Sequence, residues 1–269
     1  MTENFEIFNS NNDEYIFSNE YVKVKQYNFN FKVILKNNDK KFIKLKHTNF
    51  WKNVDNYETE NYKLFDKLIK KNDIVLDIGA CVGKTALYLS KLSTQVYAFE
   101  PNSFHFNSLK KNIYLNNIKN IIGLNCGLLN ETGTKRFYNA DNANSSFYIE
   151  AMPWNKHEMF SVNVIDFHTF DKLYFKDNNI NFVKIDIEGG EIDLIPHIFP
   201  LIKKYKPFVL ISLHESIVGY DKINNLVKYL LNNFPYCYET NLTDFTLKKE
   251  YMYGDHSGCD ILCSFVKIL

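Results

Sequence analysis

The stretch from Asp73 to Leu87, which reads DIVLDIGACVGKTAL, constrains the fold of this chain more than any other. The apolar run from Ile74 to Ile78 is typical of a buried strand, and two glycines followed by an amphipathic run from Lys84 predict a tight loop and then a helix. Glycine lets a ligand approach the backbone closely because it has no Cβ. The first N–H groups of a helix are available to such a ligand. The stretch therefore predicts a nucleotide-binding βαβ unit.

A second apolar run, Val96 to Phe99, ends at Glu100, about 20 residues after the loop, where an acidic side chain can bind ribose hydroxyls. The dinucleotide pattern G-x-G-x-x-G is absent, because three residues separate Gly79 and Gly83. The carboxylate of Asp77 would repel a pyrophosphate, whereas a cofactor with a cationic or amino-acid end is compatible with it. We expect an adenosine cofactor of this second kind; the alternative is a βαβ turn that binds no ligand.

The charge balance of the 269 residues excludes several classes of function. Lysine and arginine number 32 and aspartate and glutamate 31, so the composition does not suggest a nucleic-acid or membrane-surface binder. No apolar run approaches the roughly 18 residues of a membrane span, so no membrane insertion is expected. The five cysteines lack zinc-type spacing and predict free thiols in a reducing compartment. The N-terminus has no signal-peptide pattern, so we expect a cytoplasmic protein.

The order of the predicted elements divides the chain into two parts. Residues 1–56 contain stretches, at 21–27, 29–35 and 41–46, that alternate apolar and polar side chains. They predict a small N-terminal β extension that could serve as a lid or as the interface of a homodimer. Residues 57–269 begin as β-α-β-α-β, which predicts a parallel sheet with right-handed crossovers. The turn-rich stretch 139–146 predicts a loop in an insertion that faces the substrate.

A second informative stretch runs from Asn181 to Glu191 and reads NFVKIDIEGGE. Its apolar strand ends at Asp186, and the next buried strand is followed by His214. Ligands of open α/β sheets bind outside the carboxyl ends of the strands. We therefore expect Asp186 and His214 to converge on one crevice with Asp77 and Glu100.

Several roles are open to the polar residues of this second stretch. Asp186 could orient an acceptor, take its proton or hold a cation, and Glu188 could act beside it. His214 is the candidate general base, although it could merely form a hydrogen bond at a strand end. For Glu191 we favour stabilisation of a helix N-terminus. No spacing is diagnostic of a metal, so none is predicted; if Mg²⁺ binds, Asp186 and Glu215 are the expected ligands, together with Glu188.

Three motifs now stand in order: VLDIGACVG at 75–83, VYAFEP at 96–101 and VKIDIEGGE at 183–191. Together they resemble the FkbM family of S-adenosylmethionine-dependent methyltransferases, over roughly residues 57–215. The resemblance implies an α/β, Rossmann-like, doubly wound class I methyltransferase fold with a seven-stranded sheet, outside which the N-terminal β extension lies. The family usually has asparagine at the position of Cys81.

The resemblance also implies S-adenosylmethionine as the cofactor and gives its residues. Asp77, Gly79 and Gly83 would cradle the methionine end, and Glu100 would bind the ribose. Asn125 would lie near the adenine. The neighbouring Cys81 and Pro101 belong to the same two motifs and are counted with this site.

The function that the resemblance implies is methylation of a hydroxyl group, in a sugar or glycoconjugate precursor, so that the partner is a small-molecule or glycan acceptor. A lipid or polyketide-type acceptor is one alternative, and a non-catalytic Rossmann-like binding protein is another. Nucleic acid is not expected, because residues 186–189 read DIEG and not the Asn/Asp-Pro-Pro-Tyr/Phe motif of nucleic-acid methyltransferases. Trp51 and Trp154 could stack on sugars or pack within the protein.

Overall fold

The structure, a computed structural model, describes residues 5–9, 22–33, 58–139, 146–147, 158–175, 179–253 and 257–268. They form two compact units, residues 1–125 and 126–269. The expected domain boundary at residue 56 lies outside the described residues, as do Trp51, Trp154 and most of the predicted 139–146 loop.

The first unit contains a mostly parallel sheet, in which helices connect the parallel strands. Its elements are β1 (Ile7–Asn9), β2 (Val22–Gln26), β3 (Phe29–Val33), α1 (Thr59–Leu68), β4 (Ile74–Ile78), α2 (Lys84–Leu92), β5 (Gln95–Phe99), α3 (Ser103–Leu115) and β6 (Ile121–Leu124). Strands β4, β5 and β6 are parallel in the order β6-β5-β4, and β1 pairs antiparallel with β6. The apolar runs of the sequence become these buried strands, as the βαβ pattern predicts.

The N-terminal β element is a two-stranded hairpin of β2 and β3 that packs on the helices of the same unit. The ring of Phe29 lies 5.0 Å from that of Tyr88 in α2. The buried side chain of Gln26 donates a hydrogen bond to the carbonyl of Lys84, the first residue of α2, at 3.0 Å. The hairpin therefore supports the start of the helix that follows the glycine loop.

The second unit contains a mixed sheet and a separate small sheet. Its elements are β7 (Gly127–Leu129), β8 (Gly133–Asn139), β9 (Glu158–Asp166), α4 (Phe167–Phe170), a π-helical turn (Asp171–Phe175), β10 (Phe182–Ile185), α5 (Glu191–Tyr205), β11 (Phe208–Leu213), α6 (Glu215–Val218), α7 (Tyr220–Asn233), β12 (Tyr236–Tyr238), β13 (Met252–Tyr253) and β14 (Ser257–Ser264). Strands β10 and β11 are parallel, and β14 is antiparallel to β11 and β12. Strands β7, β9 and β8 form the small sheet.

The number of strands agrees with the fold that the resemblance implies. Without the edge strand β1 and the two-residue β13, the first unit supplies β6-β5-β4 and the second supplies β10-β11-β14-β12. Among the described residues, these seven strands match the number expected. The two strands that carry Asp186 and His214 at their carboxyl ends, β10 and β11, are paired neighbours.

Helix α5 continues further than the sequence predicts. The sequence predicts a helix from Ile192 to Phe199 that stops before Pro200, but the helix contains both Pro196 and Pro200 and runs to Tyr205. A proline inside a helix removes one N–H from the hydrogen-bond ladder. Both prolines lie on the exposed face, where water can bond to the carbonyl groups that they release. Within the part of the chain that the structure describes, no helix is long and apolar enough to cross a membrane.

Candidate active site

The glycine loop between β4 and α2 has a backbone that other residues adopt only with strain. Gly79 and Gly83 have φ angles of +90° and +93°. A Cβ on Gly83 would also lie 2.5 Å from Cδ1 of Leu109 in α3. The N–H of Gly79 donates to the carbonyl of Phe99 at the end of β5, at 3.0 Å. Backbone conformation, packing and hydrogen bonding therefore fix the shape of this loop.

Cys81 contributes its backbone to the site. Its φ of +50° lies in the left-handed region, where asparagine is several-fold enriched among non-glycine residues. Its N–H donates to Oε2 of Glu100 at 2.8 Å. A main-chain group is available from any residue type except proline. This interaction therefore tolerates cysteine where the family pattern has asparagine.

Two acidic side chains are buried at the ends of the adjacent strands β4 and β5. Asp77 is fully buried, and Glu100 is 5% exposed. The carboxylate of Glu100 accepts two hydrogen bonds: Oε1 accepts the N–H of Asn102 at 2.7 Å, and Oε2 accepts the N–H of Cys81. Burial raises the pKa of Glu100 to about 8; the two N–H groups oppose this rise, and the negative charge of Asp77 adds to it.

These two carboxylates fit S-adenosylmethionine. Each oxygen of Glu100 accepts one N–H, whereas an ionised carboxylate has about four acceptor positions, so it can also accept hydrogen bonds from the two ribose hydroxyls. Asp77 and Glu100 also bring two acidic groups into one buried region, where a cationic ligand lowers the cost of their charge. A pyrophosphate would instead add negative charge to that region.

Asn125 holds the segment that follows β5. Its Nδ2 donates to the carbonyls of Glu100, at 2.9 Å, and Pro101, at 3.2 Å, and its Oδ1 accepts from the hydroxyl of Ser103, at 2.9 Å. The side chain thus fixes the backbone on either side of the Glu100–Pro101 peptide bond. Its predicted position near an adenine stays a prediction.

In the second unit, the structure brings together Asp186, Glu188 and His214. Nε2 of His214 lies 3.3 Å from Oδ1 of Asp186 and 3.7 Å from Oε2 of Glu188. Residues 186 and 214 meet because they follow the paired parallel strands β10 and β11. Glu188 enters the group through a turn in which its own φ is +51°, and Ser146 donates to its carbonyl at 2.6 Å.

The charges of this cluster compensate one another. Nζ of the buried Lys184 lies 2.9 Å from Oδ2 of Asp186. Burial raises the pKa of Asp186, but Lys184 and His214 outweigh it and hold the pKa below its usual value. Burial lowers the pKa of His214, but Glu191, Asp186 and Glu188 outweigh it and hold that pKa well above its usual value. At neutral pH, Asp186 is therefore ionised and His214 is positively charged.

Glu188 is the member of the cluster that exchanges its proton near neutrality. Burial raises the pKa of Glu188 to about 7; His214 opposes the rise, and Asp186 and Glu191 add to it. The sequence predicts His214 as the base, because the ordinary pKa of histidine is near 7. In this environment the pKa of Glu188 lies nearer neutrality than that of His214, and which residue acts as the base stays a prediction.

Glu191 has a role that the sequence did not indicate. It is the first residue of α5 and is fully buried. Its Oε1 accepts the N–H of Ile187 at 3.0 Å and lies 2.9 Å from Nδ1 of His214. The favoured interpretation, stabilisation of the helix N-terminus, did not include a histidine 23 residues further along the chain. The only local signal was its place after the glycine pair of the third motif.

The structure brings together only part of the set of side chains that were expected to bind a metal ion. Among the described residues, Asp186, Glu188 and His214 bring three ligand atoms within 4.8 Å of one another. Glu215 is not in this group, and its Oε2 accepts the N–H of Tyr251 at 2.6 Å. A charged imidazole has no lone pair to give to a metal. That this site needs no metal stays a prediction.

Comparison with known proteins identifies the family. The family model described as Methyltransferase FkbM domain matches residues 77–236, more than half of the chain. This chain belongs to the FkbM methyltransferase family. The match begins at Asp77 and includes Glu100, Asp186, Glu188 and His214. Family and strand arrangement together make the fold that of a class I methyltransferase, as predicted.

Individual relatives are distant. The chain is 25% identical over 148 residues to Methyltransferase 1 of Beauveria bassiana. This match covers 46% of this chain and 57% of that protein. Methyltransferase FkbM from Methylobacillus flagellatus is a structural neighbour with a TM-score of 0.47 and 15% identity, covering 75% of this chain and 50% of that one. An O-methyltransferase from Bacillus cereus in complex with SAH has a TM-score of 0.42 and 13% identity, covering 76% and 80%. The chain thus spans about half the length of the first two proteins.

Proposed function

We propose that this chain is an S-adenosylmethionine-dependent methyltransferase that methylates a hydroxyl group of a sugar or glycoconjugate precursor. The observation that carries the proposal is the pair of buried carboxylates, Asp77 and Glu100, at the glycine loop of an FkbM-family chain. A net charge of +1 favours a small or glycan acceptor over a nucleic acid. The choice of a sugar rests on the tendency of the family.

The first unit holds the cofactor in this proposal. Asp77 would bind the ammonium group of the amino-acid end, and Glu100 would accept hydrogen bonds from the ribose hydroxyls. The bound cofactor supplies an electrophilic methyl group to an oxygen nucleophile. The loop from Gly79 to Gly83 contributes a backbone that is already ordered, which lowers the entropic cost of binding.

The second unit prepares the acceptor. A hydroxyl oxygen that becomes methylated must lose its proton, and Glu188, with its pKa of about 7, is ionised in part of the molecules at neutral pH and can accept it. Asp186 stays ionised beside Lys184 and would orient the hydroxyl by accepting its hydrogen bond. His214 stays charged and balances the negative charges of both carboxylates.

The acceptor class can be tested with S-adenosylmethionine that carries a labelled methyl group. The panel contains nucleotide sugars, oligosaccharides, hydroxylated lipids, polyketides and RNA. We expect label in a sugar hydroxyl and none in RNA. Label in a lipid or polyketide alone would contradict the sugar assignment. Absence of label everywhere, with S-adenosylhomocysteine still bound, would favour a non-catalytic binding protein.

The affinity for S-adenosylhomocysteine is expected to rise with pH. Below its pKa of about 8, Glu100 is protonated and accepts ribose hydroxyls less well. Its ionised fraction, and with it the affinity, rises roughly 25-fold between pH 6.5 and 8.5. Isothermal titration calorimetry at several pH values measures this dependence.

The variant Glu100→Gln separates this effect from titration of the ligand. Glutamine keeps the size of the side chain but does not titrate, so its affinity should be low and nearly independent of pH over this range. Glu60→Gln, in the exposed ion pair with Lys63 on α1, serves as the control and should retain the wild-type profile. An unchanged pH dependence in Glu100→Gln would remove Glu100 from the ribose site.

A further inference from the structure

One oxygen atom of the Glu191 carboxylate contacts both the ring of His214 and the start of the turn that carries Glu188. Oε1 accepts the N–H of Ile187, which begins the turn that carries Glu188, and it also lies 2.9 Å from Nδ1 of His214. Because Oε1 accepts a hydrogen bond from the N–H of Ile187, it acts as an acceptor oxygen, and Nδ1–H of His214 is the donor to it. The side chain of Glu191 is 0% exposed. A carboxylate so buried is costly unless positive charge and hydrogen bonds compensate it, and the ring of His214 supplies both.

Helix stabilisation alone does not explain this arrangement. An acidic side chain near the start of a helix acts through the dipole and needs no contact with a residue after another strand. Asp193 lies in the same first turn of α5, is exposed, and can act in that way. Glu191 instead directs Oε1 away from the helix ladder, towards Ile187 and His214.

We propose that Glu191 is a positioning residue, which fixes the His214 ring so that Nδ1–H bonds to Glu191 and Nε2–H is directed at Asp186 and Glu188. The kinetic part of this inference rests on the proposed methyl transfer; the structural part does not. Because the same oxygen anchors the turn that carries Glu188, it sets the distance between that carboxylate and the ring. The groups that face the ring are Asp186, Glu188 and Glu191, and Lys184 acts on it through Asp186.

Loss of this anchor has a defined consequence for catalysis. A ring without a partner at Nδ1 can rotate about its side-chain torsions, so that Nε2–H no longer faces Glu188. Glu188 would then lose the positive charge that lies 3.7 Å from its Oε2. Substrate and cofactor contacts do not include Glu191 in the proposed mechanism. Turnover should therefore fall while KM stays nearly constant.

The first test is a spectroscopic signature that needs no turnover. In protein labelled with ¹⁵N-histidine, the signals of His214 are assigned by their loss in His214→Ala. We expect a downfield Nδ1–H proton resonance, protected from exchange with water, in the wild type. It should be weakened in Glu191→Gln, which keeps an acceptor oxygen but not the charge, and absent in Glu191→Leu. Asp193→Asn, in the same helical turn, is the control and should leave it unchanged.

The second test is kinetic. We expect Glu191→Leu to lower kcat about 100-fold, with both KM values within about threefold of the wild type, and Glu191→Gln to restore kcat to within about tenfold. If the leucine variant does not fold, the glutamine variant carries both tests through its weaker resonance and lower kcat. A wild-type His214 without a protected Nδ1–H, or variants with wild-type spectra and kcat, would overturn the proposal. If no acceptor is ever methylated, the resonance still decides the positioning role, and only the proposed function fails.

Discussion

Replacing Asp77 by asparagine is expected to lower the affinity for S-adenosylhomocysteine about 100-fold, and replacement by alanine to abolish measurable binding. Asparagine preserves the shape of this fully buried side chain and removes its charge. A buried hydrogen bond between charged groups contributes about 1.5–3 kcal/mol, which corresponds to roughly 10- to 100-fold in affinity. Burial is the main cause of the raised pKa of Glu100, and the charge of Asp77 adds to it, so the two carboxylates interact. One fewer negative charge there weakens the attraction for the ammonium group of the ligand further.

Thermal unfolding gives the measurement. A ligand at 100 times its Kd stabilises the folded state by about 2.7 kcal/mol, which raises the Tm of a domain of this size by roughly 5–10 °C. S-adenosylhomocysteine should produce this rise in the wild type, and NAD should not. Neither ligand should produce it in Asp77→Asn.

The control lies at the other end of the same strand. Asp73 precedes β4, and its Oδ2 accepts the N–H of Lys70 at 2.7 Å. Asp73→Asn changes the same functional group outside the glycine loop and should keep the wild-type affinity and the rise in Tm. A folded Asp77→Asn variant with wild-type affinity would show that Asp77 does not contribute to cofactor binding.

The local parts of the fold could be predicted from the sequence because short-range patterns encode them. The run from Ile74 to Ile78 and the run that ends at Phe99 both become buried parallel strands. The glycines at 79 and 83 have the positive φ angles that make glycine necessary there. Each of these features depends on residue type and spacing within about twenty residues.

The interactions of the candidate site were less accessible, because they depend on distances across the fold. The backbone N–H of Cys81 donates a hydrogen bond to Glu100. Every residue except proline has this group, so the residue type at position 81 gives no sign of the contact. Three carboxylates within residues 186–191 raise the pKa of His214, which lies more than 20 residues further along the chain. Glu191 looks like a helix-end residue in the sequence, and only the pairing of β10 with β11 places His214 beside it.

The crevice that would unite Asp77 and Glu100 with Asp186 and His214 stays a prediction. Cofactor affinity reports on the first pair, and turnover reports on both. Variants of the second pair therefore carry the test: if they act on the acceptor, they should lower kcat and leave cofactor affinity unchanged.

Replacing Asp186 by asparagine is accordingly expected to lower kcat about 100- to 1000-fold, the usual range for loss of a group that positions or deprotonates a substrate. The amide oxygen can still accept from the ammonium of Lys184, so the fold should tolerate the change. What is lost is the negative charge that would orient the acceptor hydroxyl and that lies 3.3 Å from Nε2 of His214. His214→Ala should have an effect of similar size, because it removes the cation that both carboxylates share.

The specific result is a fall in kcat without a change in cofactor affinity. The Kd of S-adenosylhomocysteine should stay within about twofold of the wild type in both variants. Asp193→Asn removes a carboxylate from the exposed face of α5 and should leave both quantities unchanged. The same assay in excess EDTA tests the metal, and we expect an undiminished rate because His214 and Lys184 already supply positive charge at this cluster. Full turnover in Asp186→Asn or His214→Ala would end the catalytic claim of that residue. A parallel loss of cofactor affinity would mean that the second unit contributes to donor binding, and its role in preparing the acceptor would then have to be abandoned.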